Sequence, residues 1–170
     1  MRVGLRIALG ADHAGVDLKD SLAQLLDQRG ITYRDFGTHG TDSVDYPDFA
    51  ANVAHAVAAG DYDRGLLVCG SGIGMAIAAN KVPGIRAAVV TEAESARLSR
   101  SHNDANVLAL GARLTPAALA NDIVTAFLET PFEGGRHQRR IDKLTQLDVA
   151  TAAGRAWPDR KSTTERKQRD

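Results

Sequence analysis

Short apolar runs alternate with stretches of helical periodicity along most of this chain. The short runs are typical of buried strands, and they cover residues 5–9, 31–36, 66–68, 87–90 and 107–110. Between and after them, apolar residues recur at helical spacing, which predicts helices over residues 18–30, 47–59, 73–80, 92–102 and 116–127, with a last helix starting near Gly135. Five strands alternating with helices predict an α/β protein with a parallel sheet covered on both faces.

Polar residues follow the ends of three predicted strands. Asp12 and His13 follow the first strand, a glycine-rich run follows the third, and Arg113 follows the fifth. In open parallel sheets, ligands bind at the carboxyl ends of the strands, so these positions are the first candidates for a site. At the start of the fifth predicted helix, Thr115 is expected to be the N-cap and Pro116 the first helical residue.

Length and charge narrow the class of protein. The 170 residues fit one domain, which we assign to residues 1–150. Residues 151–170 are polar and are expected to form a disordered tail. Trp157 is the one residue of this tail that could anchor it. The chain has 21 basic residues (Lys and Arg) and 21 acidic residues (Asp and Glu), so its formal net charge is zero. No overall positive charge therefore favours binding to nucleic acid or to a membrane surface. The single cysteine, Cys69, and the lack of a signal-like or membrane-spanning apolar segment indicate a cytoplasmic protein.

The strongest local signal is the run CGSGIG at residues 69–74, which we call the glycine loop. A strand leads into it and a helix follows, so its backbone N–H groups suit an anion or a dinucleotide phosphate. Glu92 lies about where a ribose-binding acid would stand in a dinucleotide site, but the third glycine comes one residue too early for that pattern.

Within the glycine loop, two side chains can carry chemistry. Cys69 stands at a helix N-terminus, which favours a reactive thiolate, although a buried inert cysteine is the ordinary alternative. Ser71 can donate to a developing oxyanion, or it can serve only to form the turn.

Two polar pairs have equally plain alternatives. Asp12 and His13 can hold sugar hydroxyls or a phosphate, or they can be an N-cap and a surface histidine. His102 and Asn103 can act in a site or simply end a helix. The remaining histidines are interpreted as surface or structural residues, and they are His39, His55 and His137.

Three arginines can clamp a phosphate group. Arg136 and Arg140 are four residues apart, so they are expected to share one helix face, and Arg113 follows the fifth strand. The alternative is a solvated basic face.

Taken together and in order, five segments resemble the ribose-5-phosphate isomerase B family. They read GADHAG (10–15), DYPDFA (45–50), CGSGIGMAIAANK (69–81), SRSHNDANVLALG (99–111) and EGGRHQRR (133–140). The resemblance covers about residues 5–150. It implies a Rossmann-like, three-layer α/β/α sandwich with a five-stranded parallel sheet. It also implies a homodimer or dimer of dimers with active sites shared between subunits, acting on a sugar phosphate without metal or organic cofactor.

The resemblance also implies roles for individual residues in interconverting ribose 5-phosphate and ribulose 5-phosphate. Cys69 is the base, His102 opens the sugar ring, and Ser71 with the loop N–H groups of Gly70, Gly72, Ile73 and Gly74 holds the enediolate. The remaining residues bind the sugar (Asp12, His13, Asn103), line the pocket (Tyr46) or hold the phosphate (Arg113, Arg136, Arg140).

The sequence matches the family's cysteine-base subtype, because Met75 stands where the other subtype has a catalytic glutamate. Ser71 replaces a threonine common in that subtype and keeps the hydroxyl. Two alternatives stay open: an isomerase of another sugar phosphate (allose 6-phosphate, galactose 6-phosphate or a tetrose phosphate), and a non-catalytic nucleotide- or sugar-phosphate-binding module.

Overall fold

A computed structural model describes residues 4–155 of the chain. Its centre is a five-stranded sheet in the order β2-β1-β3-β5-β4, with every neighbouring pair parallel. The strands are β1 (Arg6–Ala11), β2 (Thr32–Asp35), β3 (Arg64–Cys69), β4 (Ala87–Val89) and β5 (Val107–Gly111). All five predicted strands are confirmed, each within two residues at either end.

Six α-helices connect and cover the strands. They are α1 (Val16–Gln28), α2 (Tyr46–Ala58), α3 (Ile73–Ala79), α4 (Ala93–Ser101), α5 (Ala117–Glu129) and α6 (Gln138–Ala152). A 3₁₀ turn (His13–Gly15) leads into α1.

The core lies in two layers, one on each face of the sheet. Alternate residues of one strand serve different layers, because successive side chains of a strand point to opposite faces. Ile7 and Leu9 of β1 pack with the apolar faces of α1 and α5, whereas Ala8 packs with those of α2 and α3. The predicted three-layer α/β/α sandwich is therefore confirmed.

Two predictions about helix starts are wrong. Pro116 is the N-cap of α5 with an extended ψ of 149°, so Thr115 lies one residue before the cap and is buried. The last helix begins at Gln138, because Gly134 and Gly135 have positive φ angles of 64° and 56° that no α-helix contains.

The late start of α6 separates two predicted phosphate ligands. Arg136 lies in the turn before the helix, whereas Arg140 belongs to its first turn. The expectation that Arg136 and Arg140 share one helix face is therefore wrong, although both side chains are exposed close together in the chain.

The predicted tail is described only in part. Helix α6 continues through residue 152, so the first residues of the expected tail are helical. Trp157, with the rest of residues 156–170, lies outside the described residues. Between residues 4 and 155, none of the helices combines the length and apolar character needed to cross a bilayer.

Candidate active site

The carboxyl ends of β1, β3 and β5 bring three of the predicted segments together. The N–H of Asp12 donates to the carbonyl of Val68 at 3.2 Å, and the N–H of Arg113 donates to the carbonyl of Gly70 at 3.1 Å. These bonds hold the residues after β1 and β5 on either side of the glycine loop. The predicted convergence at this edge is confirmed.

Cys69 ends β3 at the bottom of the glycine loop. The residue is 5% exposed, and its Sγ accepts the N–H of Gly72 at 3.1 Å. Negative charge on the sulfur therefore has a backbone donor already in place. The thiol is buried, as the plainer interpretation held, and it borders both the apolar layer under α2 and α3 and the glycine loop.

Glycines in the loop let other groups lie against it. A Cβ on Gly70 would stand 3.2 Å from the Arg113 guanidinium carbon, and one on Gly74 would stand 2.7 Å from the Tyr46 ring. Both contacts bring predicted ligand-binding side chains onto the loop. Gly72 has a φ of 79° and lies against the β5 backbone, where a Cβ would approach the Leu110 carbonyl carbon to 2.9 Å.

Ser71 has the turn-forming contact that was its alternative interpretation. Its Oγ accepts the N–H of Ile73 at 3.3 Å, which leaves the hydroxyl proton to donate elsewhere. This hydrogen bond therefore stabilises the turn and leaves the Ser71 hydroxyl proton available as a donor to an oxyanion.

The side chains of Asp12 and His13 each accept a hydrogen bond from a backbone N–H group. An Asp12 carboxylate oxygen accepts the N–H of Ala14 at 3.0 Å, so Asp12 caps the 3₁₀ turn rather than α1 itself. His13 is half-buried, and its Nδ1 accepts the N–H of Val44 at 3.2 Å. The neutral ring then carries its proton on Nε2, which is a donor for a ligand. The alternative interpretation of His13 as a surface histidine is therefore wrong.

A second cluster forms around the end of α4. His102 is the C-cap of this helix, and its ring stacks on that of His137 with 4.3 Å between centroids and 8° between planes. The N–H of Glu133 donates to the carbonyl of Ser101 at 3.0 Å, which fixes the segment before α6 on the end of α4. The second cluster therefore contains His102, Glu133, Arg136 and His137.

His137 joins the second cluster although the sequence predicts no site role for it. Of the two predicted roles, surface or structural, the burial of His137 fits the structural one, and Arg136 Nε lies 3.4 Å from its Nε2. Burial lowers the pKa of His137, and the neighbouring His102 and Arg136 lower it further, against a weaker opposing effect of Glu133. Its place inside the EGGRHQRR segment, next to Arg136, was the available signal.

The two clusters lie at opposite ends of the strands: the glycine loop is at their carboxyl ends, and the second cluster is at their amino ends. His102 and Asn103 come just before β5, whereas Cys69 pairs with Gly111 at its end. From Val107 to Gly111, β5 rises about 13 Å, which is the distance between its amino and carboxyl ends. One chain therefore brings the loop, Asp12, His13, Tyr46 and Arg113 together. The second cluster forms separately, with Asn103 next to His102 in the chain and Arg140 close enough to His137 to lower its pKa.

The second cluster also contains groups of the kind that bind metals. Ligand atoms of His102, Glu133 and His137 lie within 4.8 Å of one another. The two imidazole planes are nearly parallel, so their lone pairs run side by side instead of meeting at one point. That arrangement favours stacking and hydrogen bonding over tetrahedral coordination of one ion.

The fold and the clustered polar residues define an α/β protein with a buried thiol at the base of a glycine loop between a strand and a helix. Residues 7–144 match the family described as Ribose/Galactose Isomerase. The chain belongs to this family.

Individual relatives agree. The chain is 49% identical over 143 residues to ribose-5-phosphate isomerase B of Escherichia coli, an alignment that covers 84% of this chain and 96% of the relative. A ribose-5-phosphate isomerase B of Clostridium thermocellum superposes with a TM-score of 0.85 and 52% identity, covering 86% of this chain and 99% of that one. A Mycoplasma genitalium ribose-5-phosphate isomerase B with bound ribulose-5-phosphate superposes with a TM-score of 0.82 and 41% identity, covering 85% of this chain and 97% of that one.

Proposed function

We propose that this protein interconverts ribose 5-phosphate and ribulose 5-phosphate through an enediolate. The observation that carries the proposal is the Cys69 thiol, held under the glycine loop with its sulfur accepting the Gly72 N–H. Aldose–ketose isomerisation needs a base beside C2 and donors for the oxygen that gains charge. Family membership supplies the reaction class, and the M. genitalium relative carries the same ketose phosphate.

In the proposed reaction, the Cys69 thiolate removes the proton from C2 of the open-chain aldose. The electron pair moves into the C1–C2 bond while O1 becomes an oxyanion. Ser71 and the loop N–H groups of Gly70, Gly72, Ile73 and Gly74 donate to the enediolate. A proton then passes from O2 to O1, and the thiol returns the first proton to C1 while the C2–O2 bond becomes the carbonyl. These transfers complete the ketose without an oxidant, metal or organic cofactor.

The remaining predicted residues take supporting roles. His102 transfers a proton to open the sugar ring, and Asp12, His13 and Asn103 bind hydroxyl groups. Tyr46, packed against Gly74, lines the pocket. Arg113, Arg136 and Arg140 bind the phosphate, because guanidinium groups match its geometry.

A shared site explains why these residues form two clusters. Cys69 lies at the carboxyl edge of the sheet and His102 at the amino edge, so one chain cannot offer both to one sugar. In a symmetric homodimer, the carboxyl edge of one subunit can meet the amino edge of its partner, and this happens twice. We therefore propose a homodimer, or a dimer of dimers, with two-subunit sites.

The test is an assay of purified protein on ribose 5-phosphate, beside Cys69→Ala and Cys69→Ser. Serine keeps an acceptor for the Gly72 N–H but lacks a comparable base, so both variants should lose at least about 100-fold in kcat. Unchanged thermal unfolding would show that the loop is intact. An active Cys69→Ala variant would rule out the assigned base.

The second candidate is an isomerase of another sugar phosphate, favoured by a family description that names galactose beside ribose. A panel with allose 6-phosphate, galactose 6-phosphate and erythrose 4-phosphate separates these substrates by kcat/KM. A non-catalytic binding module would bind a sugar phosphate or a dinucleotide in calorimetry and turn over none of the panel. The lone buried cysteine supports a reducing, cytoplasmic setting.

A further inference from the structure

The turn that follows α4 differs from the ends of three other helices. At the ends of α1, α2 and α6, a glycine adopts a positive φ, and the next N–H reaches back five residues; these glycines are Gly30, Gly60 and Gly154. At the end of α4, the positive φ comes one residue later, at Asp104, with a φ of 45°, and the next N–H reaches back six residues to the carbonyl of Ser99. Among residues 4–155, it is the only residue other than glycine with a positive φ.

Glycine would form this turn with less strain, because an L side chain disfavours the left-handed region. What aspartate adds is its carboxylate, and both of its oxygens are engaged. Oδ1 lies 2.8 Å from Nη1 of Arg100, and Oδ2 lies 3.2 Å from Nη2 of Arg86. Arg100 comes from α4 and is buried, whereas Arg86 immediately precedes β4.

Arg86 also fixes the backbone of Asn103, the residue before Asp104. Its Nε donates to the carbonyl oxygens of Asn103, at 3.1 Å, and of Asp104, at 2.9 Å. The segment directly after His102 is thus fixed to α4 on one side and to the start of β4 on the other. Strain held by surrounding contacts is concentrated at functional sites in proteins, and His102 and Asn103 are the adjoining candidates.

We infer that Asp104 is a positioning residue, which sets the placement of His102 and Asn103 toward the sugar. This inference rests on the proposed function. The rival explanation is that Asp104 only neutralises two arginines and stabilises the fold. The two explanations differ in which direction of the reaction suffers when the carboxylate is lost.

Ring opening supplies the distinction. Ribose 5-phosphate is closed by a C1–O4 bond, so its turnover requires a proton to leave O1 and one to reach O4. Ribulose 5-phosphate has its carbonyl at C2 and its O5 esterified, so it forms no five-membered ring and arrives open. Misplacing His102 should therefore lower kcat at saturating substrate more in the aldose direction than in the ketose direction. The value of kcat/KM must fall by one factor in both directions, because the equilibrium constant is fixed.

The experiment compares Asp104→Gly and Asp104→Asn with wild type, using initial rates from ribose 5-phosphate and from ribulose 5-phosphate. Glycine keeps the turn and removes the carboxylate, while asparagine tolerates the left-handed region and keeps one acceptor. The control is Glu94→Gln, which removes the exposed Glu94–Arg97 pair of 3.0 Å on the same helix.

For Asp104→Gly, we expect kcat on ribose 5-phosphate to fall about 10- to 100-fold, with at least a tenfold smaller fall in kcat on ribulose 5-phosphate. Asp104→Asn should show the same asymmetry to a smaller degree, and Glu94→Gln should match wild type. If Asp104→Gly does not fold, Asp104→Asn decides. Equal losses of kcat in both directions, or no loss, would overturn the inference, whereas a wild type inactive in both directions would overturn the proposed function itself.

Discussion

At the scale of single residues, His137 gives the chain a specific pH dependence. Burial lowers the pKa of His137, with His102 and Arg136 adding to the effect. The unfolded chain therefore binds a proton at a higher pH than the folded chain does. The stability that a neutral His137 supports is fully present above its unfolded pKa, near 6.5, and is lost as the pH falls toward its folded pKa.

Replacing His137 with asparagine should flatten this part of the stability curve. We expect Tm of the wild type to fall more steeply than that of His137→Asn between about pH 7 and pH 5. The exposed His55 supplies the control, and His55→Asn should keep the wild-type slope. Parallel Tm curves for His137→Asn and wild type would contradict the assignment.

At the scale of elements, the glycine loop depends on the close approach of β3, α3 and β5. Gly72 combines a positive φ of 79° with backbone contact, since an added Cβ would lie 2.9 Å from the Leu110 carbonyl carbon. Gly84 has a similar φ of 84° and open space around it. Comparing substitutions at Gly72 and Gly84 therefore separates the cost of backbone strain from the cost of steric contact.

Alanine at Gly84 should cost about 1–2 kcal/mol, the cost of a left-handed L residue. Alanine at Gly72 should cost a further 1–3 kcal/mol, because the β5 backbone must shift. Free energies of unfolding from urea titrations measure both values. Equal losses at the two positions would mean that β5 does not restrict the loop.

Strands were easier to predict than helix ends, for a physical reason. A buried strand such as β3 is marked by its own apolar run, so Leu66, Leu67 and Val68 were sufficient to find it. A helix start depends on local backbone angles, and Pro116 takes an extended ψ of 149° that its residue type does not reveal. Two consecutive glycines likewise delayed α6 beyond its predicted start.

At the scale of the whole molecule, contacts between distant segments stayed beyond sequence reasoning. Lys19 lies in the helical stretch of α1, yet it is fully buried and paired with Asp35 at the end of β2. The stacking of His102 on His137 likewise joins segments 35 residues apart in number. Motif order predicted which residues matter, while only the fold shows that they form two clusters at opposite edges.

Those two clusters predict how defective subunits complement each other. Cys69→Ala and His102→Ala should each be inactive on ribose 5-phosphate as homodimers. In a mixed dimer with shared sites, one site combines both defects, and the other combines an intact Cys69 with an intact His102. Random pairing at equal amounts makes about half of the dimers mixed, so about a quarter of wild-type activity should return.

The measurement uses the two variants with different affinity tags, co-expressed and purified through both tags in turn. Doubly tagged dimers should then have about half of the wild-type kcat, since every dimer holds one intact site. Mixing after separate purification, without subunit exchange, is the control and should restore nothing. Doubly tagged dimers without activity would show that each site lies within one chain, because no mixed dimer would then contain an intact pair.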